Sequence, residues 1–108
     1  MNLRSASVKL GSLLRAERER RGETLATVAE VVGMQFQHLS KLERGDRLAT
    51  QGQAVALARH FGLDERVIEA RRMADEFWRD NARNPVAFHA VGLLQEDAGV
   101  YGTPVGNL

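Results

Sequence analysis

The sequence contains no cysteine and no long uninterrupted run of apolar residues. The absence of cysteine excludes disulfide frameworks, thiolate zinc sites and cysteine nucleophiles. A membrane helix needs about 18 uninterrupted apolar residues, and the first 21 residues lack the apolar block and small-residue cleavage site of a secretory signal. With 108 residues, 44% hydrophobic and 27% charged, the composition predicts one folded domain in the cytoplasm.

An excess of charge of one sign is also missing, because 15 Lys and Arg residues oppose 14 Asp and Glu residues. The positive charge is nevertheless unevenly placed. Residues 1–22 carry six basic and two acidic side chains, whereas residues 63–84 carry five basic and six acidic ones. A polyanion is therefore expected to bind toward the N-terminal half of the chain.

Apolar residues recur at helical spacing along most of the chain, and no segment alternates as a strand does. Thr24 is a candidate N-cap, Thr50 to Gln53 a candidate capping box, and Asn84-Pro85 a further helix start. The pattern predicts an all-α fold. Helices are expected over residues 8–21, 25–32, 35–43, 51–61, 65–81 and 86–97, followed by an extended or loose tail over 98–108.

Residues 23–45, ETLATVAEVVGMQFQHLSKLERG, carry a specific pattern of small and apolar residues. Ala29 is small where two short helices crossing at about 90–120° would touch, and Gly33 suits the tight turn between them. The apolar residues that would anchor the second helix are Met34, Leu39 and Leu42, and Gly45 would end it. This pattern resembles the helix-turn-helix of the phage-repressor and Cro-like (Xre-type) family.

The resemblance extends from about Leu10 to Ile68. It implies a five-helix, lambda-repressor-like DNA-binding domain over residues 1–68, with the helix-turn-helix at 24–43. The chain departs from the family pattern at four positions, which are Glu23 (usually apolar), Leu25 (often glutamine), Gln35 (usually Ser or Thr) and Ala49 (often proline). Arg15 and Arg18 are expected in structural ion pairs with acids such as Glu43.

The resemblance places the third helix in the major groove of DNA, with its N-terminal residues toward base edges. It implies base contacts by Phe36, Gln37 and Lys41, with His38 at the margin. Gln37 would pair with adenine, Lys41 with guanine, and Phe36 would touch a thymine methyl group. Phosphate contacts are implied for Thr24, Arg44, Arg47, Thr50, Gln51, Gln53 and Lys9, with a flexible contribution from Arg4.

The C-terminal extension, residues 69–108, is predicted to form a homodimer interface together with the start of the fifth helix. The fifth helix would contribute Val67, Ala70, Met73, Ala74, Phe77 and Trp78. The sixth helix would contribute Val86, Phe88, Val91 and Leu94. The alternative is that this apolar stripe covers the core of the chain's own domain.

The leading functional prediction is a sequence-specific regulator that binds double-stranded DNA, a homodimeric repressor at a palindromic operator. The alternative is a protein-interaction module with the same fold, such as an antitoxin that binds a toxin through its C-terminal extension, residues 64–108, or an antiactivator that binds a protein partner instead of DNA. The sequence has no HExxH motif, glycine-rich phosphate loop or nucleophile elbow, and His60 and His89 lie far apart. We therefore expect no enzyme activity, no cofactor and no metal site.

Overall fold

The computed structural model describes residues 9–100, which form six α-helices and no strand. The helices are α1 (Leu10–Arg20), α2 (Leu25–Val32), α3 (Phe36–Arg44), α4 (Gln51–Phe61), α5 (Glu65–Asn81) and α6 (Val86–Val100). The predicted all-α fold is confirmed, and each predicted helix is present. Within the described range, no helix is both long enough and apolar enough to cross a membrane.

The predicted tail over 98–108 was wrong in its first three residues, because α6 continues through Val100. Once a helix has formed, each added residue gains one backbone hydrogen bond. Gly99 costs only about 1 kcal/mol relative to alanine within a helix, so it does not end α6. Residues 101–108 of the predicted tail lie outside the described residues.

The helix starts follow from short polar sequences. The Thr24 hydroxyl oxygen accepts a hydrogen bond from the backbone N–H of Thr27 at 3.1 Å, as predicted for an N-cap of α2. At α4 the Thr50 hydroxyl accepts from the N–H of Gln53 at 3.1 Å, and the Gln53 side-chain oxygen accepts from the N–H of Thr50 at 3.0 Å. The predicted capping box is therefore confirmed.

The core lies among α1 to α4, with one side chain from α5. Its fully buried side chains include Leu14, Val28, Leu39, Leu42 and Leu57. Met34 in the turn after α2 packs against this cluster. Gly33 ends α2 in the left-handed conformation at φ 71°, which a side chain would disfavour, and the turn it allows sends α3 across α2.

Helix α1 approaches α3 closely at Gly11. A Cβ atom on Gly11 would lie 2.2 Å from the backbone oxygen of Leu42, which is far inside van der Waals contact. The start of α1 has no capping side chain of its own, and instead the N–H of Leu10 donates to the Asp75 carboxylate of α5 at 2.8 Å. Asp75 also pairs with Arg71 at 3.0 Å. Both features hold α1 against elements distant in sequence.

The chain divides into two compact units between Glu76 and Phe77, so α5 contributes to both. In the second unit, the Phe77 and Trp78 rings meet edge to face at 5.0 Å, and the Trp78 and Phe88 rings lie 5.3 Å apart. Ala87 is buried, whereas the larger apolar side chains of α6 are mostly exposed. The domain boundary predicted after residue 68 also lies within α5.

Candidate nucleic-acid interface

Helix α3 has a buried face and an exposed face. Leu39, Leu42 and Glu43 are buried, while Gln37 and Lys41 are exposed. The helix has nine residues, and an α-helix with its side chains is about 10–12 Å in diameter. The major groove of B-DNA is about 12 Å wide and admits a single α-helix. The exposed face of α3 therefore has the size and the polarity that groove binding requires.

The four predicted base-contact residues occupy the first two turns of α3. Phe36 is 48% exposed although it is large and apolar, and Gln37 beside it is also exposed. Lys41 follows Gln37 by four residues, so the two side chains lie on one stripe of the helix. His38 differs from the others because it is partly buried, and its Nε2 atom is completely shielded from solvent.

The environment of His38 combines burial with positive charge. Among residues 9–100 its buried Nε2 atom has no hydrogen-bond partner. Burial lowers the pKa of the imidazole below its ordinary value, and the charges of Arg47 and Lys41 lower it further. The ring is therefore neutral at pH 7, and its shielded nitrogen cannot reach a base edge in this conformation.

The predicted phosphate contacts at helix starts lie at the N-termini of α2 and α4. Thr24 and Thr50 are both exposed N-cap residues, and Gln51 follows Thr50 as an exposed first residue of α4. The first-turn N–H groups and the helix dipole favour an anion at such ends. Gln53 is partly buried, and its side-chain oxygen is occupied by the capping box.

The predicted basic phosphate contacts lie at the end of α3, in the loop that follows it, and before α1. Arg44 is about half exposed, and it donates to the hydroxyl oxygen of Ser40 at 2.7 Å and to the Asp46 carboxylate at 3.0 Å. Arg47 is exposed in the loop after α3, and Lys9 is exposed at the start of α1. Arg4 lies outside the described residues.

Behind α3, a largely buried ion pair ties its last turn to α1. Arg18 donates through Nε and Nη2 to both carboxylate oxygens of Glu43, at 2.8 and 3.0 Å, and through Nη1 to the backbone oxygen of Glu23 at 2.9 Å. The hydrogen bond with Glu43 raises the pKa of Arg18 above its ordinary value. The predicted pairing of Arg18 with Glu43 is confirmed, whereas Arg15 pairs with Glu19 on the surface.

The departure at Glu23 is explained by a contact that the sequence did not reveal. The Glu23 carboxylate lies 2.9 Å from Nε2 of His60 at the end of α4. Arg21 adds a contact of 5.5 Å from its guanidinium carbon to the centre of the Phe61 ring. Residues 9–100 contain no group of three or more His, Asp or Glu side chains that could hold a metal ion.

The residues predicted for dimerisation are exposed to different degrees. Val67, Met73, Phe88 and Leu94 are between 58% and 66% exposed. Ala70 is exposed, whereas Ala74, Phe77, Trp78 and Val91 are partly buried. The α5 side chain that joins the domain core is Ile68, which is 4% exposed. The exposed members of the predicted stripe therefore do not cover the core of their own domain.

Further exposed apolar side chains were not predicted as part of any surface. They are Val31 on α2 and Leu93 and Val100 on α6. Val67 also lines a shallow groove of about 360 Å³ in the first unit, together with Leu13 and Ala16 of α1. Helical periodicity could not identify the exposed residues of α6, because this helix is apolar on nearly every side.

Comparison with protein families assigns the larger part of the chain to a helix-turn-helix family. The family model described as a helix-turn-helix domain matches residues 9–70, which is more than half of the chain and includes α1 to α4 and the start of α5. No curated protein and no solved structure matches the chain significantly.

Proposed function

The chain belongs to the helix-turn-helix domain family, and from this membership we propose that it is a sequence-specific regulator of the Xre type that binds double-stranded DNA. A second copy would bind alongside the first at a palindromic operator, and the pair would repress transcription. The observation that carries the proposal is the exposed face of α3, which has Gln37 and Lys41 on one stripe.

In the proposed complex α3 enters the major groove with its first two turns toward the bases. The amide of Gln37 pairs with adenine and the ammonium group of Lys41 donates to guanine, each worth about 1–3 kcal/mol of discrimination. Phe36 contacts a thymine methyl group, because its ring is exposed but cannot form hydrogen bonds with a base edge. His38 contributes at the margin of this surface.

Phosphate contacts hold the helix in register on either side of the groove. The N-terminal ends of α2 and α4, at Thr24 and Thr50, supply backbone donors and a favourable helix dipole. Exposed cations at Arg44 and Arg47 supply charge next to α3. The Arg18–Glu43 pair orients α3 from the protein side, because it anchors the last turn without occupying the exposed face.

Two arguments support pairing with a second copy, namely the affinity needed to find an operator and the exposed apolar surface of α5 and α6. One helix-turn-helix unit reads only a few base pairs, which is too little to locate one operator in a genome. Val67 and Met73 on α5, and Phe88 and Leu94 on α6, are more than half exposed in the single chain. We propose that these side chains are buried between two copies, because a symmetric dimer matches a palindromic operator whose half-sites lie about one turn of DNA apart.

Repression is the simplest outcome of such binding, since a small protein bound at an operator blocks polymerase by occupancy alone. This step is an analogy with other small regulators rather than a consequence of the geometry. It requires no ligand and no additional domain.

The experiment that tests the proposal is selection of bound sequences from random duplex DNA, combined with the mass of the protein–DNA complex in solution. We expect a palindromic site with half-sites about one helical turn apart, occupied by two chains. The affinity for the selected sequence should fall steeply as the salt concentration rises, because phosphate contacts release counterions from the DNA. A recovered pool with no shared sequence would contradict specific binding, and a single chain per site would contradict the dimer.

The second candidate function is a protein-interaction module, an antitoxin or antiactivator. The observation that favours it is the exposure of two large apolar side chains in the helix-turn-helix, Val31 at 60% and Phe36 at 48%. If a protein uses this surface, Phe36→Ala will abolish the protein complex, while affinity for duplex DNA stays at the nonspecific level in the wild-type chain and in the variant. A sequence-selective loss of DNA binding in Phe36→Ala supports the regulator instead.

A further inference from the structure

We propose that binding of duplex DNA by α3 is coupled to proton uptake by the imidazole of His38, so that affinity for DNA rises as the pH falls. This inference rests on the proposed DNA-binding function and adds a regulatory property to the same surface. The geometry that carries it is a partly buried ring whose shielded Nε2 atom has no hydrogen-bond partner, one helical turn before Lys41 on the exposed face of α3.

The ring of His38 is shielded on one side and faces positive charge. Its Nε2 atom has no hydrogen-bond partner among residues 9–100, so no carboxylate or carbonyl oxygen stabilises an imidazolium there. Lys41 is one turn further along α3, and Arg47 follows in the loop, and both act on the ring. Protonation in the free protein would therefore place a positive charge on a partly buried ring that two exposed cations already disfavour.

No acid is among the groups that shift the pKa of His38, and Asp46, which precedes Arg47 in the loop, pairs with Arg44 at 3.0 Å. Helices α1 and α2 pack against α3, yet no carboxylate from them influences the ring. Glu43, on α3 itself, is committed to Arg18 on the buried side. The acids on the packed helices that have no influence on His38 are Glu17 and Glu19 on α1 and Glu30 on α2.

DNA changes this balance because its phosphates bring negative charge to Lys41 and Arg47. Burial and the two cations hold the pKa of His38 below its ordinary value in the free chain. Phosphate charge offsets the cations, so the pKa of the ring is higher in the complex than in the free chain. A group with the higher pKa in the complex takes up a proton on binding.

The sign of the pH dependence follows from this difference. Above the pKa in the complex the ring is neutral in both states, and affinity does not depend on its protonation. As the pH falls between the two pKa values, protonation favours the complex and affinity increases. Below the pKa of the free chain, the ring is charged in both states and the gain is complete. A rise of one pKa unit corresponds to about tenfold tighter binding.

The test measures affinity for the duplex recovered in the selection experiment, from about pH 8 to about pH 5.5 at constant ionic strength, a range that spans the ordinary titration of histidine. Calorimetry in two buffers of different ionisation enthalpy counts the protons taken up. We expect binding by the wild-type chain to become about tenfold tighter at the acidic end. We also expect uptake of a fraction of a proton near the middle of the range.

The variants His38→Gln and His38→Leu remove the titrating group. His38→Gln keeps a polar side chain, and His38→Leu keeps apolar packing at the half-buried position. The matched control is His89→Gln, because His89 is an exposed histidine on α6 in the other unit. The pH dependence should vanish in both His38 variants and stay unchanged in His89→Gln.

Two negative results are distinguishable. Binding of duplex DNA with no proton uptake, or with the same pH dependence in His38→Gln as in the wild-type chain, overturns the role of His38 alone. Absence of duplex binding at every pH overturns the DNA-binding function and this inference together.

Discussion

Residues 9–76 and residues 77–100 are both helical, yet they place their apolar side chains in opposite environments. In the first unit, leucines such as Leu14, Leu39 and Leu57 are at most 1% exposed. In described residues 77–100, Ala87 is the only buried residue, and Leu93 and Leu94 are each 59% exposed. An apolar sequence alone therefore does not show that a helix is buried. Its side chains are buried only where other helices pack against them.

This difference separates two uses of apolar residues. In the first unit, burial stabilises the fold that presents α3. In the second unit, most of the apolar surface of α6 would gain stability only from a partner outside the described chain. Substituting the same residue type once in each unit, for example one leucine in each, tests this distinction.

The largest expected effect comes from leucine truncation. Leu39→Ala removes a side chain with 0% exposure, and loss of burial plus the remaining cavity should cost about 3–4 kcal/mol of the free energy of unfolding. Leu94→Ala removes a side chain with 59% exposure, so it should leave the core intact. Urea unfolding at several protein concentrations measures both effects.

Leu39→Ala should lower the urea concentration at the unfolding midpoint by the same amount at every protein concentration. Leu94→Ala should only reduce the dependence of that midpoint on protein concentration. Equal losses in the two variants at high dilution would show that α6 has a core of its own. That result would remove the contrast between the units.

The next effect comes from adding one methyl group to a helical glycine. Gly11→Ala places a Cβ atom against the Leu42 carbonyl oxygen and should destabilise the fold by about 2–3 kcal/mol, because α1 and α3 must separate. Gly92→Ala on α6 meets no atom within 4 Å and should stabilise the helix by up to about 1 kcal/mol. Thermal unfolding gives both values, and a neutral Gly11→Ala would contradict the close packing of α1 on α3.

The smallest expected effect concerns recognition rather than stability. Gln37→Ala should cost about 1–2 kcal/mol of affinity for the selected operator and relax the preference at one base pair, while the salt dependence stays nearly unchanged. Gln95→Ala changes an exposed glutamine on α6 and should leave the sequence preference intact. Competition binding with single-base operator variants measures the difference, and identical behaviour of the two variants would remove α3 from base recognition.

The helix starts and the main core residues were accessible from the sequence because they depend on local chemistry and periodicity. Thr24 and Thr50 cap helices through atoms within three residues, and the spacing of Leu39 and Leu42 marks the inner face of α3. The Glu23 contact with His60 was not accessible, because 37 residues separate the partners and neither side chain is unusual on a helical surface. The end of α6 was not accessible either, because glycines at the end of the chain favour a loose tail, whereas continuing backbone hydrogen bonds extend the helix through Val100.

The candidate site divides in the same way. Its position on α3 followed from the pattern over residues 23–45, which includes the turn at Gly33 and the buried spacing after it. The partial burial of His38 did not follow from that pattern, because the residue before the buried Leu39 can face either solvent or the neighbouring loop. Only the folded chain brings Arg47 close enough to His38 to influence its charge.

The linear order of residues was sufficient to specify an all-helical chain with a helix-turn-helix, because caps, turns and amphipathic spacing act over a few residues. Tertiary structure alone decided that Gly11 allows α1 to touch α3, that Asp75 completes the start of α1, and that α6 leaves its apolar side chains exposed. These outcomes depend on which distant surfaces meet. The packing of the whole unit, rather than any short segment, decides which of these surfaces come into contact.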